Sequence, residues 1–146
     1  MSYYQQSFRD MSVWQHSFDF AKGVLRFIKS LPSEDRYNVA SSLSRSALSM
    51  PAHIAIGKIT QGRGDFVKHL VVSQGNAAEC ETYLLILKDT YPEFADEIAR
   101  LRDIDAVVQK MLGALIYAIE HPKNSKKSLL TENNITFEPV NVPVAV

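Results

Sequence analysis

Few residues in this chain have the type and spacing that chemistry requires. Gly57-Lys58 supplies the glycine and cation of a phosphate-binding loop, but that loop needs a glycine five positions earlier and Ser or Thr after the lysine. Ala52 and Ile59 stand there instead, which excludes a nucleotide site of that kind. The four histidines, His16, His53, His69 and His121, and the single Cys80 fall at no metal-ligand spacing, so each reads as a capping, packing or solvent-facing residue. Glu79 and Glu81 are two apart and on a helix would point to different faces, which makes no acid/base pair. Serines are abundant, yet nothing in their spacing sets one beside a histidine and an orienting carboxylate. The Glu-x-x-His signature of bundle-core carboxylate sites is absent. No enzymatic activity, metal or other cofactor is expected.

The cations are the remaining candidates. Lys22, Arg26 and Lys29 fall at i, i+4 and i+7, a short basic stripe on one helix face, with Arg45, Lys58, Arg63 and Lys68 elsewhere. Such residues bind nucleic-acid phosphates through charge and counterion release, or simply solvate a helix. Arg45 lies among small residues, where a structural hydrogen bond is the other role open to it. Residues 1–75 hold nine Lys and Arg against five Asp and Glu, and residues 76–146 hold seven against eleven, so a net of +4 is balanced by −4. One basic and one acidic surface would follow, while neutrality of the whole argues against indiscriminate coating of nucleic acid.

These side chains must be positioned by helices. Trp14, Phe18, Ala21, Leu25 and Ile28 alternate four and three apart and predict a core seam on a helix from Val13 to Leu31. A second row, Val13, Phe20, Val24, Phe27 and Leu31, widens the apolar arc to about half the circumference. Pro32 stops this helix and Ser33 can cap the next, whose apolar positions are Val39, Leu43, Ala47, Met50 and Ile54, with Pro51 predicting a kink. Gly57 to Gly64 reads as a loop. The third helix has the seam Phe66, Leu70, Ser73, Ala77, Cys80, Leu84 and Leu87, flanked by Val67, Val71, Ala78 and Leu85. After Tyr91-Pro92-Glu93, the fourth helix carries Phe94, Ile98, Leu101, Val108, Leu112, Leu115 and Ile119, with Asp105 the polar exception, and ends near His121-Pro122.

Four helices with short connections predict an all-α, antiparallel up-down four-helix bundle over residues 1–121. Residues 122–146 are expected to form an extended or flexible tail. Wide arcs on the first and third helices exceed what one bundle core uses, so Val13, Phe20, Val24, Phe27, Val67 and Val71 are candidates for an oligomer interface, unless the tail covers them. No apolar run is long enough for a membrane span and no export signal is visible, and a single cysteine suits a reducing compartment, so a cytoplasmic location is expected.

The order of these residues resembles the bacterial four-helix-bundle family of proteins encoded in intervening sequences of 23S rRNA genes. The resemblance runs from about Phe8 to Ile119. It rests on Phe8, Asp10 and Val13-Trp14-Gln15, on Pro32-Ser33-Glu34-Asp35, and most specifically on Arg45-Ser46-Ala47-Leu48-Ser49-Met50-Pro51-Ala52-His53-Ile54-Ala55-Ile56-Gly57. Asp65-Phe66, Leu70, Gly75 and Glu79 fit further on. Within the central stretch the family-like positions are Arg45, Ser49, Pro51, Ile54, Ala55 and Gly57, while His53 replaces a usual Asn and Ile56 a usual Glu. The resemblance implies a homopentameric ring without enzymatic activity, acting as a binding or scaffolding module. A related branch, the accessory proteins of diversity-generating retroelements, works with a reverse transcriptase and nucleic acid and is more basic than this chain. RNA or DNA is therefore the expected partner beside the chain itself, with a protein-protein adaptor as the alternative.

Overall fold

Four stretches whose apolar residues recur every three or four positions become four α-helices: α1 (Ser12–Ile28), α2 (Val39–Ile59), α3 (Arg63–Thr90) and α4 (Ala95–Glu120). The computed structural model describes residues 7–35 and 37–122, and no strand occurs among them. Short 3-10 turns at Phe8–Asp10, Ser33–Asp35 and Pro92–Phe94 punctuate the chain. Helix α1 packs on α2 and α4, and α3 packs on the same two from the opposite corner. Neighbours run antiparallel: Ser46 meets Glu79 and Ser49 meets Asn76, while His53 farther along α2 meets His69 farther back on α3. Apart from Pro122, the expected tail lies outside the described residues. No described helix is long and apolar enough to cross a membrane.

Helix boundaries follow the local chemistry with two departures from the sequence reading. Ser33 falls in a 3-10 turn, and the α2 N-terminus is capped instead by Asn38, whose side chain accepts the Val39 N–H. The α2–α3 connection is much shorter than Gly57 to Gly64: α2 runs on to Ile59 and α3 begins at Arg63. Gly62, at φ +115°, makes the turn that an L side chain would resist. Pro51 lies inside α2, which continues beyond it to Ile59. Beside it, the Met50 carbonyl accepts a hydrogen bond from Ser73 Oγ at 2.8 Å, which ties α3 to α2.

The seam expected on α3 is its buried face in full, Phe66, Leu70, Ser73, Ala77, Cys80, Leu84 and Leu87. On α1 the two rows exchange roles. Val13, Phe20, Val24 and Phe27, proposed for an oligomer interface, lie in this chain's own core together with Ser17 and Leu31. They form an unbroken four-three seam once Ser17 is admitted to it, and that serine is what disguises the row in the sequence. Of the other row, Phe18 (41% exposed) and Leu25 (36%) turn outward and Trp14 and Ile28 are half-buried, while Ala21 stays in the core. Trp14 lies between Phe8 and Phe18, at ring-centroid distances of 5.3 and 4.9 Å, which anchors the N-terminal turn.

Asp105 of α4 is fully buried. Its Oδ2 accepts from Gln109 Nε2 at 2.8 Å, and that same nitrogen donates to Glu81 on α3, also at 2.8 Å. Burial, and behind it the charge of Glu81, pushes the Asp105 carboxyl up to about 7, although the Gln109 hydrogen bond and Arg102 pull the other way. The folded chain therefore keeps a proton that the unfolded chain releases near pH 4, so this group's contribution to stability declines as pH rises from about 4 to 7. Asp105→Asn preserves the shape without the charge. At pH 8 it should be more stable than the natural chain by on the order of 2 kcal/mol, with little gain at pH 4.5. Thermal unfolding at the two pH values tests this, and an equal or lower midpoint for the variant at pH 8 refutes it.

Candidate interaction surface

The central stretch of family-like residues lies on α2, and most of what it does is directed at α3. Pro51, Ile54 and Gly57 face inward and are buried, and Ala55 is half-buried. Serines at the side of α2 make a ladder to α3: Ser46 Oγ donates to Glu79 at 2.6 Å, and Ser49 Oγ accepts from Asn76 at 3.0 Å. Gly57 closes the seam at its lower end. A Cβ there would lie 3.0 Å from His69 Cβ and 3.3 Å from the Phe66 carbonyl oxygen, so the missing side chain permits this approach.

His53 lies one turn before Gly57 on the same face of α2, and the close approach brings it onto His69. The two Nδ1 atoms are 3.1 Å apart and the ring centroids 5.3 Å. Burial, and then the neighbouring His69, lowers the His53 pKa and favours the neutral imidazole. No sequence signal announces this pair: sixteen residues is neither a helical nor a turn spacing, and only the antiparallel register of α2 and α3 unites them. His16 and His121 fit the expectation of local capping, each with Nδ1 on the carbonyl four residues earlier, at 2.8 and 2.9 Å.

The other chemistry-bearing side chains are muted. Cys80 is buried against Leu43 and Met50, and burial, then Asp105 and Glu79, pushes its thiol far above the range of a nucleophile. Glu79 and Glu81 point to α2 and α4 respectively, as their two-residue spacing predicts.

The candidate cations do not form one patch. Lys22, Arg26 and Lys29 are exposed along the second half of α1, with Lys22 paired to Asp19 at 3.3 Å and lying over the Phe18 ring at 4.9 Å. Lys58, Arg63 and Lys68 surround the α2–α3 turn, which the antiparallel course places toward the opposite end of the bundle. Arg63 and Lys68 are exposed and Lys58 is half-buried. Arg45 is exposed on the outer face of α2, at the head of an apolar stripe that continues through Leu48, Ala52, Ile56 and Ile59. In that stripe Leu48 is 48% exposed, Ile56 40% and Ile59 72%. Val71 and Val72 on α3 are exposed as well, whereas Val67 is half-buried. The outward apolar surface thus includes Val71 of the expected interface residues, joined by α2 positions outside that set.

Comparison with known proteins places this architecture. Residues 9–114 match the family described as 23S rRNA-intervening sequence protein. A crystal structure of a protein of unknown function, from the S23 ribosomal protein family of Bacteroides thetaiotaomicron, is similar in fold, with 23% identity and a TM-score of 0.67. The match covers 71% of this chain and 97% of that one. No curated protein matches the chain.

The α2–α3 approach makes opposite predictions for two helical glycines. Gly75→Ala meets open space and should stabilise the bundle by about 0.5–1 kcal/mol through helix propensity. Gly57→Ala gains the same propensity but drives a methyl against backbone-proximal atoms, and should destabilise by about 1–2 kcal/mol net. Chemical denaturation of both variants checks the contrast, which fails if Gly57→Ala is the more stable of the two.

Proposed function

Because the chain belongs to the 23S rRNA-intervening sequence protein family, we propose that it is a non-enzymatic module that assembles with copies of itself, five to a ring, and offers the assembled surface to RNA or DNA. The observation that carries this reading is the outer stripe of α2. Leu48, Ile56 and Ile59 remain largely exposed on one face although the same helix buries Leu43, Met50 and Ile54 on the other. Burying the exposed remainder of those three side chains against a neighbour is worth on the order of 3 kcal/mol per contact. Phe18 and Leu25 on α1, and Val71 and Val72 on α3, extend the apolar surface available to neighbouring subunits.

Repetition supports the nucleic-acid part of the proposal. Among the described residues, one chain offers two short basic segments, Lys22, Arg26 and Lys29 at one end and Lys58, Arg63 and Lys68 toward the other. A ring multiplies each segment, and phosphate contacts that are weak singly become effective when several engage one strand.

Light scattering coupled to size exclusion should give a mass near five subunits. Leu48→Glu/Ile56→Glu should reduce it to that of a single chain while the helical circular dichroism is retained; a natural chain that runs as a monomer defeats the assembly reading. Mobility shifts with structured RNA and duplex DNA should show binding at low salt that weakens as salt rises, and further in Lys22→Ala/Arg26→Ala/Lys29→Ala. Absence of binding to either at low salt would remove nucleic acid from the proposal and leave the protein-protein adaptor.

A further inference from the structure

The His53–His69 pair is not used by the assembly or phosphate contacts proposed above. Each ring comes from a different helix of the α2–α3 hairpin, and both are only half-buried, with helix packing on one side and access to water on the other. The Nδ1···Nδ1 separation of 3.1 Å is a hydrogen bond when one ring donates and the other accepts, which gives the two rings opposite tautomers. It is also the bite of two cis ligands. With metal–nitrogen bonds of about 2.0–2.1 Å, a 3.1 Å separation corresponds to an N–M–N angle of roughly 100°, between octahedral and tetrahedral values.

We propose that His53 and His69 form a transition-metal site that bridges α2 and α3, with a divalent ion of the zinc, nickel or copper class between the two Nδ1 atoms and the donating ring's proton moved through solvent to its own Nε2. The donor set selects that class. Imidazole nitrogens 3.1 Å apart suit that class and not the oxygen-seeking magnesium and calcium ions, and no third His, Cys, Asp or Glu joins them in a ligand group among the described residues. Two protein ligands leave the remaining positions to water or to a donor from another molecule, so the bound ion can accept an external ligand. Gly57 is part of the construction, because its missing side chain lets His69 approach within reach of the histidine one turn away.

The test uses the full chain without an affinity tag, titrated calorimetrically with zinc, nickel and magnesium chlorides near neutral pH. The expected result is one zinc or nickel ion per chain, no magnesium, and an affinity loss in both His53→Asn and His69→Asn that exceeds the roughly 10–100-fold cost of losing an outer-shell partner. His16→Asn, which alters a histidine outside the pair, should bind as the natural chain does. Equal affinity in the natural chain and the two pair variants overturns the proposal, as does an absence of zinc and nickel binding at millimolar concentration. Should either pair variant fail to fold by circular dichroism, the electron paramagnetic resonance spectrum of the copper-loaded natural chain decides: two coupled nitrogens are expected, and fewer than two overturn the site.

Discussion

The distance of closest approach between α2 and α3 governs much of the rest of the molecule. Small residues line the contacting side of α2, Ser46, Ala47, Ser49 and Gly57, and α3 answers with Ser73, Asn76 and Ala77. Hydrogen bonds cross this contact, from Ser73 to the Met50 carbonyl and from Asn76 to Ser49. With Leu43, Met50 and Ile54 buried on the inner side of α2, Leu48, Ile56 and Ile59 are left outward, and the approach brings two histidine rings into contact. Internal packing and external surface are therefore consequences of one choice of small side chains.

Polar groups inside the bundle are distributed unevenly around it. Ser17 on α1 and Asp105 on α4 are fully buried, and Ser17 Oγ, one Asp105 oxygen and Arg102 Nε meet no hydrogen-bond partner among the described residues. Unpaired buried polar atoms cost free energy, whereas an all-apolar seam would not. Their positions interrupt seams that would otherwise be uniform, which disfavours sliding one helix along another. Asp105, whose carboxyl burial pushes up to about 7, contributes in the opposite sense to paired native carboxylates, which lose stability on protonation.

Much of the fold was legible because period and punctuation agreed. The α3 seam and the start of α4 at a proline turn follow from spacing alone. The α1 faces were not legible for a particular reason: Ser17 breaks the true core row, while Trp14, Phe18 and Leu25 make the outward row look like the stronger seam. Glycine was also misleading at 57, where it serves helix contact rather than a turn; only Gly62 needs its backbone freedom. The α2 motif could be located from sequence, but the histidine pairing could not, because it depends on the length of a turn and the register it sets. The cations were identified as residues, while their separation toward opposite ends is a product of topology.

The three-residue connection between α2 and α3 also affects the cost of closing the chain on itself. His53 and His69 meet across sixteen residues, whereas α1 meets α4 where Gly23 lies beside Leu101, 78 residues away. With the usual logarithmic dependence of loop entropy on length, the longer closure costs about 1.4 kcal/mol more, before any contact offsets it. Once the hairpin exists it shortens the effective path between α1 and α4, so the entropy of the long closure is partly spent in advance. A single tight turn thereby reduces the penalty for joining the two ends of the bundle, far from where that turn lies.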